Sequence, residues 1–155
     1  MRIQTKRGID TVKKIYLASP FFNDSELVAY KETISRLRNA GYKVHVPQEH
    51  EVQNAWDYSN ADWARKVFEM DVDALRESDV VMVLNFGMYS DSGTAWEAGF
   101  AAALKIPVIQ VLCGYENCTY SLMMMNGCDK VIHAENVAFW ESECACVSRD
   151  KIIQK

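Results

Sequence analysis

The chain has 155 residues, of which 49% are hydrophobic and 25% are charged, and its formal net charge is -4. This length predicts one domain spanning residues 1–155. No block of basic residues favours DNA or RNA as a partner, and no apolar run approaches the roughly 18–20 residues that span a bilayer, so we expect no membrane association. The basic residues within positions 1–7 precede no apolar stretch, so we expect no signal peptide.

The cysteines argue against a secreted disulfide framework, which usually has an even number of cysteines spread along the chain. Here the number is odd and all lie in the last third of the sequence, at positions 113, 118, 128, 144 and 146. The three histidines are scattered, at 45, 50 and 133, rather than grouped with them as metal ligands. We expect reduced thiols, a cytoplasmic location and no metal or cofactor.

The first predicted unit is a strand followed by a helix. Residues 14–18 form a short apolar run, and Pro20 ends it, which is typical of a strand. Asn23 is a good helix N-cap, with Glu26 three positions later as in a capping box. Gly41 is well placed to end this helix.

The rest of the chain continues the alternation of apolar runs with helical patterns. The further predicted elements are a strand over 42–46, a long polar loop over 48–60, a helix over 61–76, a strand over 80–84, a loop over 85–90, a helix over 91–103, a strand over 106–112, a short helix over 121–125, a strand over 130–133 and a helix over 135–147.

Strands that alternate with helices indicate a parallel sheet with helices on both faces. Five strands in this length predict an α/β fold with a doubly wound, flavodoxin-like sheet of order 2-1-3-4-5. In such sheets ligands bind beyond the carboxyl ends of the strands, at the switch point between strands 1 and 3. Loops 19–23 and 85–91 meet there, so we expect the chemistry in these loops and the helix starts behind them.

Two acids belong to the helix over 91–103. Glu97 lies among apolar neighbours, so this helix is expected to be buried nearly all round, and a lone carboxylate there costs free energy unless it is paired. Glu97 therefore either points outward, on the one solvated strip of this helix, or points into the switch-point crevice. Asp91 opens the helix as an N-cap, a role compatible with accepting hydrogen bonds from hydroxyl groups in the crevice.

Asp71 and Tyr16 each allow two interpretations. Asp71 interrupts an apolar helical stripe, four residues from both Val67 and Leu75, and either marks a ragged stripe margin or is directed inward. Tyr16 shares a strand face with Ala18, and its hydroxyl needs a partner if buried. It is therefore either core filler or a hydroxyl that orients a carboxylate.

Aromatic residues and missing motifs narrow the chemistry. Phe21 and Phe22, in the loop after the first strand, can stack on a planar base or pack against the adjacent helix. The sequence contains no GxGxxG, GxxxxGK[ST] or GxSxG motif, which disfavours dinucleotide, P-loop and nucleophile-elbow chemistry. Carboxylates, a tyrosine and aromatics suit glycosidic-bond cleavage through an oxocarbenium-like state.

Three segments carry a resemblance to a known family. Residues 14–22 (KIYLASPFF), 77–81 (ESDVV) and 91–99 (DSGTAWEAG) resemble the nucleoside 2-deoxyribosyltransferases, within a similarity that runs from about residue 13 to residue 132. The resemblance implies that Glu97 attacks C1′ of a 2′-deoxynucleoside and forms a covalent deoxyribosyl ester. It implies that Tyr16 holds this glutamate in position.

The same resemblance implies roles for further residues. Asp71 would handle the proton of the departing or incoming base, and Asp91 would bind a sugar hydroxyl. Phe22 would lie beside the base, and substrate contacts are further implied for Ala18 and Gly93, which belong to the matched motifs.

A neighbouring subunit completes the site in this family with an Asn-x-Met segment. The aligned residues here are Ser121 and Met123, with serine where the family has asparagine. The implied partners are a deoxynucleoside, a free nucleobase and further copies of the chain in a homo-oligomer, and the implied role is nucleotide salvage.

Base exchange has two alternatives. Water can open the ester instead of a base, which would make the protein a nucleoside or nucleotide N-glycosidase. A phosphorylated substrate would need a serine and a basic cluster after the first strand, and only Ser19 is available there. The other alternative is a nucleotide-binding module without catalysis. We expect residues 48–51 to contribute to the choice of base.

Overall fold

A computed structural model describes residues 12–153, so the expectation for residues 1–7 lies outside the described residues. The five strands form one parallel sheet in the order β2-β1-β3-β4-β5, which confirms the predicted doubly wound fold. The strands are β1 (Lys14–Ala18), β2 (Lys43–His45), β3 (Val80–Asn85), β4 (Val108–Leu112) and β5 (Lys130–His133). The α-helices are α1 (Asp24–Asn39), α2 (Asn60–Arg76), α3 (Ser92–Ala103) and α4 (Leu122–Asn126).

Alternate residues of β1 face opposite sides of the sheet, as the pleat requires. Ile15 and Leu17 pack into the core beneath α1. Tyr16 and Ala18 pack into the other core, together with residues of α2 and α3. The predicted shared face of Tyr16 and Ala18 is therefore confirmed, and it directs Tyr16 toward the two helices that carry the candidate acids.

Strand register brings the predicted switch-point loops together. Ala18 at the end of β1 pairs with Val83 of the parallel strand β3, so both strands end at the same edge of the sheet. The turn after β1 is fixed by Asn23, whose Oδ1 accepts a hydrogen bond from the Glu26 amide at 2.9 Å. The Glu26 carboxylate accepts in return from the amide of Phe22, at 2.8 Å.

The predicted helix over 135–147 is wrong. Ala134–Phe139 is a short 3₁₀ helix, and the buried side chains of Val137 and Trp140 are three residues apart, as three residues per turn require. The chain then runs back beside β5, where the Val147 amide donates to the Val131 carbonyl at 2.8 Å. This edge of the sheet supplies backbone partners that a continued helix would otherwise have provided.

The expectation that α3 is buried nearly all round is also wrong for the single chain. Only Thr94, Ala98 and Ala101 of this helix are buried, whereas the Trp96 side chain is 47% exposed. The five cysteines, all within the described part of the chain, are free thiols. Between residues 12 and 153, no helix is both long and apolar enough to cross a membrane.

Candidate active site

A cavity of ≈ 270 Å³ lies between α2 and α3, and we call it the glutamate cavity. Its lining residues are Phe68, Asp71, Val72, Leu75, Gly93, Trp96 and Glu97. The four residues from α2 follow the spacing of one helix face. Asp71 therefore belongs to the inward face of its helix, and the structure brings it into one cavity with Glu97.

Glu97 has an unusual protonation equilibrium for a glutamate. Burial, followed by the charge of the nearby Asp71 carboxylate, raises its pKa to about 8. The Tyr16 hydroxyl acts in the opposite direction, because a donor stabilises the ionised carboxylate. The Glu97 carboxyl therefore keeps its proton to higher pH than an ordinary glutamate does.

Asp71 is perturbed in the same direction. Burial raises the pKa of its carboxyl, and the neighbouring His50 opposes this rise. The charge of Asp71 also raises the pKa of Glu97, because ionising one acid disfavours ionising its neighbour. The pair can thus hold one proton between them, which is the state that general acid chemistry needs.

Tyr16 supplies a hydroxyl beside this pair of acids. The side chain is fully buried, and its hydroxyl has no completed hydrogen bond within residues 12–153. Burial and the adjacent Glu97 raise the pKa of Tyr16, so the phenol stays neutral and keeps its proton. A buried donor without a partner is available to bond a carboxylate or a substrate atom.

Asp91 and Gly93 form the start of α3. Asp91 Oδ2 accepts hydrogen bonds from the Thr94 amide at 2.8 Å and from Thr94 Oγ1 at 3.0 Å, which confirms the predicted N-cap. Its other oxygen, Oδ1, accepts no hydrogen bond from the described part of the chain. A side chain at position 93 would place its Cβ 3.2 Å from Asp91 Oδ2, so any larger residue there would crowd the capping carboxylate.

The aromatic residues after β1 are divided between two environments. Phe22 is 75% exposed, whereas Phe21 stacks on Tyr30 with ring centroids 5.7 Å apart. Phe21 also lines a cavity of ≈ 170 Å³, the bridging cavity, together with Asp71 and His50. Of the two aromatic residues after β1, Phe21 is therefore the one that shares a cavity with a candidate acid, whereas the resemblance implied Phe22. Ala18 is buried at the end of β1.

Ser121 and Met123 lie elsewhere in the chain's own fold. Both line a cavity of ≈ 540 Å³ beside α3, which shares no lining residue with the glutamate cavity. Ser121 is the N-cap of α4, and Met123 is 83% exposed. They do not complete the glutamate cavity of their own chain, so a contribution to the site would have to come from another copy.

Sequence reasoning missed two aromatic residues of the glutamate cavity. Phe68 and Trp96 meet edge to face, with ring centroids 5.3 Å apart. Phe68 precedes Asp71 by three positions, and this helical spacing was a usable signal. Trp96 follows no such rule, because its contact with Phe68 depends on how α2 and α3 pack.

The comparisons with known proteins agree with this geometry. The sequence profile of the nucleoside 2-deoxyribosyltransferases matches residues 15–136. The chain belongs to the nucleoside 2-deoxyribosyltransferase family. Its members act on the N-glycosidic bonds of nucleosides, and the fold and the family agree.

Solved structures place the chain among related folds. The 2-deoxyribosyltransferase from the psychrotolerant bacterium Bacillus psychrosaccharolyticus matches with a TM-score of 0.75 and 27% identity, covering 87% of this chain and 97% of that chain. A conserved protein from Enterococcus faecalis matches with a TM-score of 0.69 and 19% identity, over 84% and 97% of the two chains.

A CMP N-glycosidase from Clostridium botulinum matches with a TM-score of 0.51 and 24% identity, over 78% of this chain and 86% of that chain. The Enterococcus and Clostridium likenesses show the fold alone. No curated protein sequence matches the chain significantly.

Proposed function

We propose that this protein exchanges the base of 2′-deoxyribonucleosides through a covalent deoxyribosyl ester on Glu97. One observation carries the proposal: the Glu97 carboxyl shares the glutamate cavity with a second acid, Asp71, and lies beside the buried hydroxyl of Tyr16. A nucleophilic carboxylate with a neighbouring acid is the arrangement of retaining glycosidases, which divide one difficult displacement into two easier steps.

In the first step, a Glu97 carboxylate oxygen forms a bond to C1′ as the N-glycosidic bond breaks. The electron pair of that bond leaves with the base, and Asp71 donates a proton to the base. In the second step, a nitrogen of the incoming base bonds to C1′ and the ester bond breaks, which restores the Glu97 carboxylate. The incoming base loses its proton to Asp71, so the cycle returns both acids to their starting forms.

The electrostatics of the pair support the retention of one proton by the two acids. The reaction needs Glu97 ionised and Asp71 protonated, which is one proton shared between two acids. Burial raises the pKa of both carboxyls, so the pair retains a proton near neutral pH. The Tyr16 hydroxyl lowers the pKa of Glu97 and so favours the arrangement with the charge on the nucleophile.

The loop after β1 favours a substrate without a phosphate. Ser19 Oγ donates to the Pro20 carbonyl at 2.7 Å, and the Phe22 amide donates to the Glu26 carboxylate at 2.8 Å. Donors that a phosphate would use are thus occupied. Asp24 and Glu26 also place negative charge in the first turn of α1, which opposes an anion at that helix end.

The test is base exchange between thymidine and adenine, followed by chromatography with and without the acceptor base. Glu97→Ala should leave a folded protein with at least about a hundredfold lower kcat/KM, as expected for the loss of a nucleophile. Glu69→Ala, an acid on the exposed face of α2, is the matched control and should retain activity.

Intact-mass spectrometry with a 2′-fluoro arabinonucleoside should show one added sugar on the wild type and none on Glu97→Ala. The fluorine destabilises the oxocarbenium-like state and slows release of the ester. Full activity of Glu97→Ala would reject the nucleophile. Equal release of thymine with and without adenine, with no deoxyadenosine formed, would replace transfer by hydrolysis.

A further inference from the structure

A larger cavity adjoins the candidate active site. It measures ≈ 820 Å³ and we call it the aromatic cavity. Its lining residues are His50, Glu51, Val52, Ala55, Trp56, Tyr58, Asn60, Trp63 and Val67. His50 and Val67 also line the bridging cavity, and Asp71 lines both the bridging cavity and the glutamate cavity. The three cavities therefore follow one another from Glu97 past Asp71 and His50.

Three aromatic side chains dominate the aromatic cavity and remain open to solvent. Trp56 is 100% exposed, Trp63 is 44% exposed and Tyr58 is 39% exposed. The Tyr58 ring is held by Lys66, whose Nζ lies 4.8 Å from the ring centroid. Several accessible rings around one cavity provide faces on which a planar aromatic group can stack.

The junction between the bridging cavity and the aromatic cavity is also made of stacked rings. His50 stacks on His45 with centroids 4.3 Å apart and an angle of 4° between the planes. His45 stacks in turn on Tyr16, at 5.3 Å and 15°. A row of stacked rings thus links the neighbourhood of Glu97 to His50, at the edge of the aromatic cavity.

The proposed chemistry indicates which part of the substrate lies in which cavity. With C1′ at Glu97 and the base at Asp71, the next space beyond Asp71 is the bridging cavity, which His50 also lines. We propose that the aromatic cavity is a subsite for an aromatic substituent on the nucleobase, so that the substrate class includes purines with an arylmethyl group on the exocyclic nitrogen. This inference rests on the proposed function. The carboxylate of Glu51 in the lining disfavours anionic substituents, and the aromatic side chains of the lining favour an aromatic one.

The test compares two acceptors, adenine and N6-benzyladenine, with thymidine as the donor. The wild type should use N6-benzyladenine at least as efficiently as adenine. Trp56→Ala and Trp63→Ala should each lower kcat/KM for N6-benzyladenine by about tenfold, the size of effect expected for a lost stacking face, and change kcat/KM for adenine by less than about threefold. Tyr115→Ala is the matched control, because Tyr115 is 79% exposed and lies outside the three cavities.

The outcomes separate the subsite from the proposed function. Exchange with adenine but not with N6-benzyladenine, or equal losses for both acceptors in the tryptophan variants, would overturn the subsite and leave base exchange intact. Absence of exchange with either base would reject the proposed function. Binding of the free bases, followed by tryptophan fluorescence, then still tests the subsite. Tighter binding of N6-benzyladenine than of adenine in the wild type, and loss of this difference in Trp56→Ala, would support the subsite. Equal binding of the two bases to the wild type would overturn it. If Trp56→Ala changes the mass of the assembly in solution but not the preference between the two acceptor bases, the surface is a contact between copies of the chain. That result would overturn the subsite.

Discussion

Folding places the Glu97 carboxyl in an environment that raises its pKa. Burial, followed by the charge of Asp71, raises its pKa from an ordinary 4.5 to about 8. Between these two pH values, the folded protein holds a proton that the unfolded chain releases. Because the folded state binds more protons in this window, the free energy of unfolding must fall as pH rises from about 4.5 to about 8.

Glu97→Gln should remove this pH-dependent loss of stability. Near pH 5 the wild-type side chain is neutral, and glutamine should change the unfolding temperature little. Near pH 9 the wild type carries a buried charge, so the variant should unfold at the higher temperature. Thermal unfolding followed by circular dichroism across this range measures the difference, and a difference that does not vary with pH would contradict the assignment.

Tyr16→Phe should affect the pH dependence of catalysis as well as its rate. Loss of the hydroxyl removes a donor that lowers the pKa of Glu97, so the acidic limb of the kcat/KM profile should move to higher pH. The rate should fall by about tenfold or more, as expected for a lost hydrogen bond to a charged group.

Tyr30→Phe is the matched control for this change. The Tyr30 hydroxyl is also buried without a hydrogen-bond partner among the described residues, but the side chain belongs to the core on the opposite face of the sheet. An acidic limb that stays in place in Tyr16→Phe, or that moves equally in both variants, would contradict a specific role for Tyr16.

Asp91 caps α3 and is proposed to bind a sugar hydroxyl, and two substitutions separate these roles. Asp91→Ala removes the cap and should lower the free energy of unfolding by about 1 kcal/mol. Asp91→Ser keeps an oxygen for the Thr94 amide but lacks the second carboxylate oxygen. It should therefore unfold nearly like the wild type, while KM for the deoxynucleoside rises by about tenfold.

Ser59→Ala provides the comparison for Asp91→Ala. Ser59 caps α2 by accepting from the Asp62 amide at 3.1 Å, and it does not line the glutamate cavity. Its loss should reduce stability by a similar amount and leave KM unchanged. Denaturant titration and initial-rate kinetics measure both effects, and an unchanged KM in Asp91→Ser would reject the contact with the sugar.

Helix starts were predictable from the sequence where they depend on residues close together in the chain. The caps at Asn23 and Asp91 involve residues at most three positions apart, and both form as expected. The C-terminal segment lacked such a signal. Its helix-like spacing of apolar residues also fits a 3₁₀ turn, and the pairing of Cys146 with Ile132 at the edge of β5 decided against the helix.

The molecule exposes apolar side chains on the side of the sheet that carries α2, α3 and α4. The exposed residues there are Phe68, Met70, Met88, Tyr89, Trp96, Leu104, Leu122 and Met123. If a neighbouring copy covers this side, Met123→Glu should dissociate the assembly and reduce activity, because a charge would be buried in the contact.

Light scattering coupled to size-exclusion chromatography measures this change, and circular dichroism tests whether the dissociated chain stays folded. Phe139→Glu is the matched control, since Phe139 is 69% exposed and belongs to the segment that covers the opposite face. A wild type that is already monomeric, or Met123→Glu with unchanged mass and activity, would contradict the expected homo-oligomer.

The amino-acid sequence by itself determined the strand order, the two capped helix starts and the shared face of Tyr16 and Ala18. The strand order follows from the alternation of strands with helices, and the other two features follow from periodicity and from hydrogen bonds between near neighbours in the chain. Only the tertiary structure decided that Glu97, Asp71 and Tyr16 share one buried environment and that His50 connects it to the aromatic cavity. The reason is physical: the pKa of a carboxyl depends on burial and on charges from other elements, and those elements are brought together by packing across the sheet.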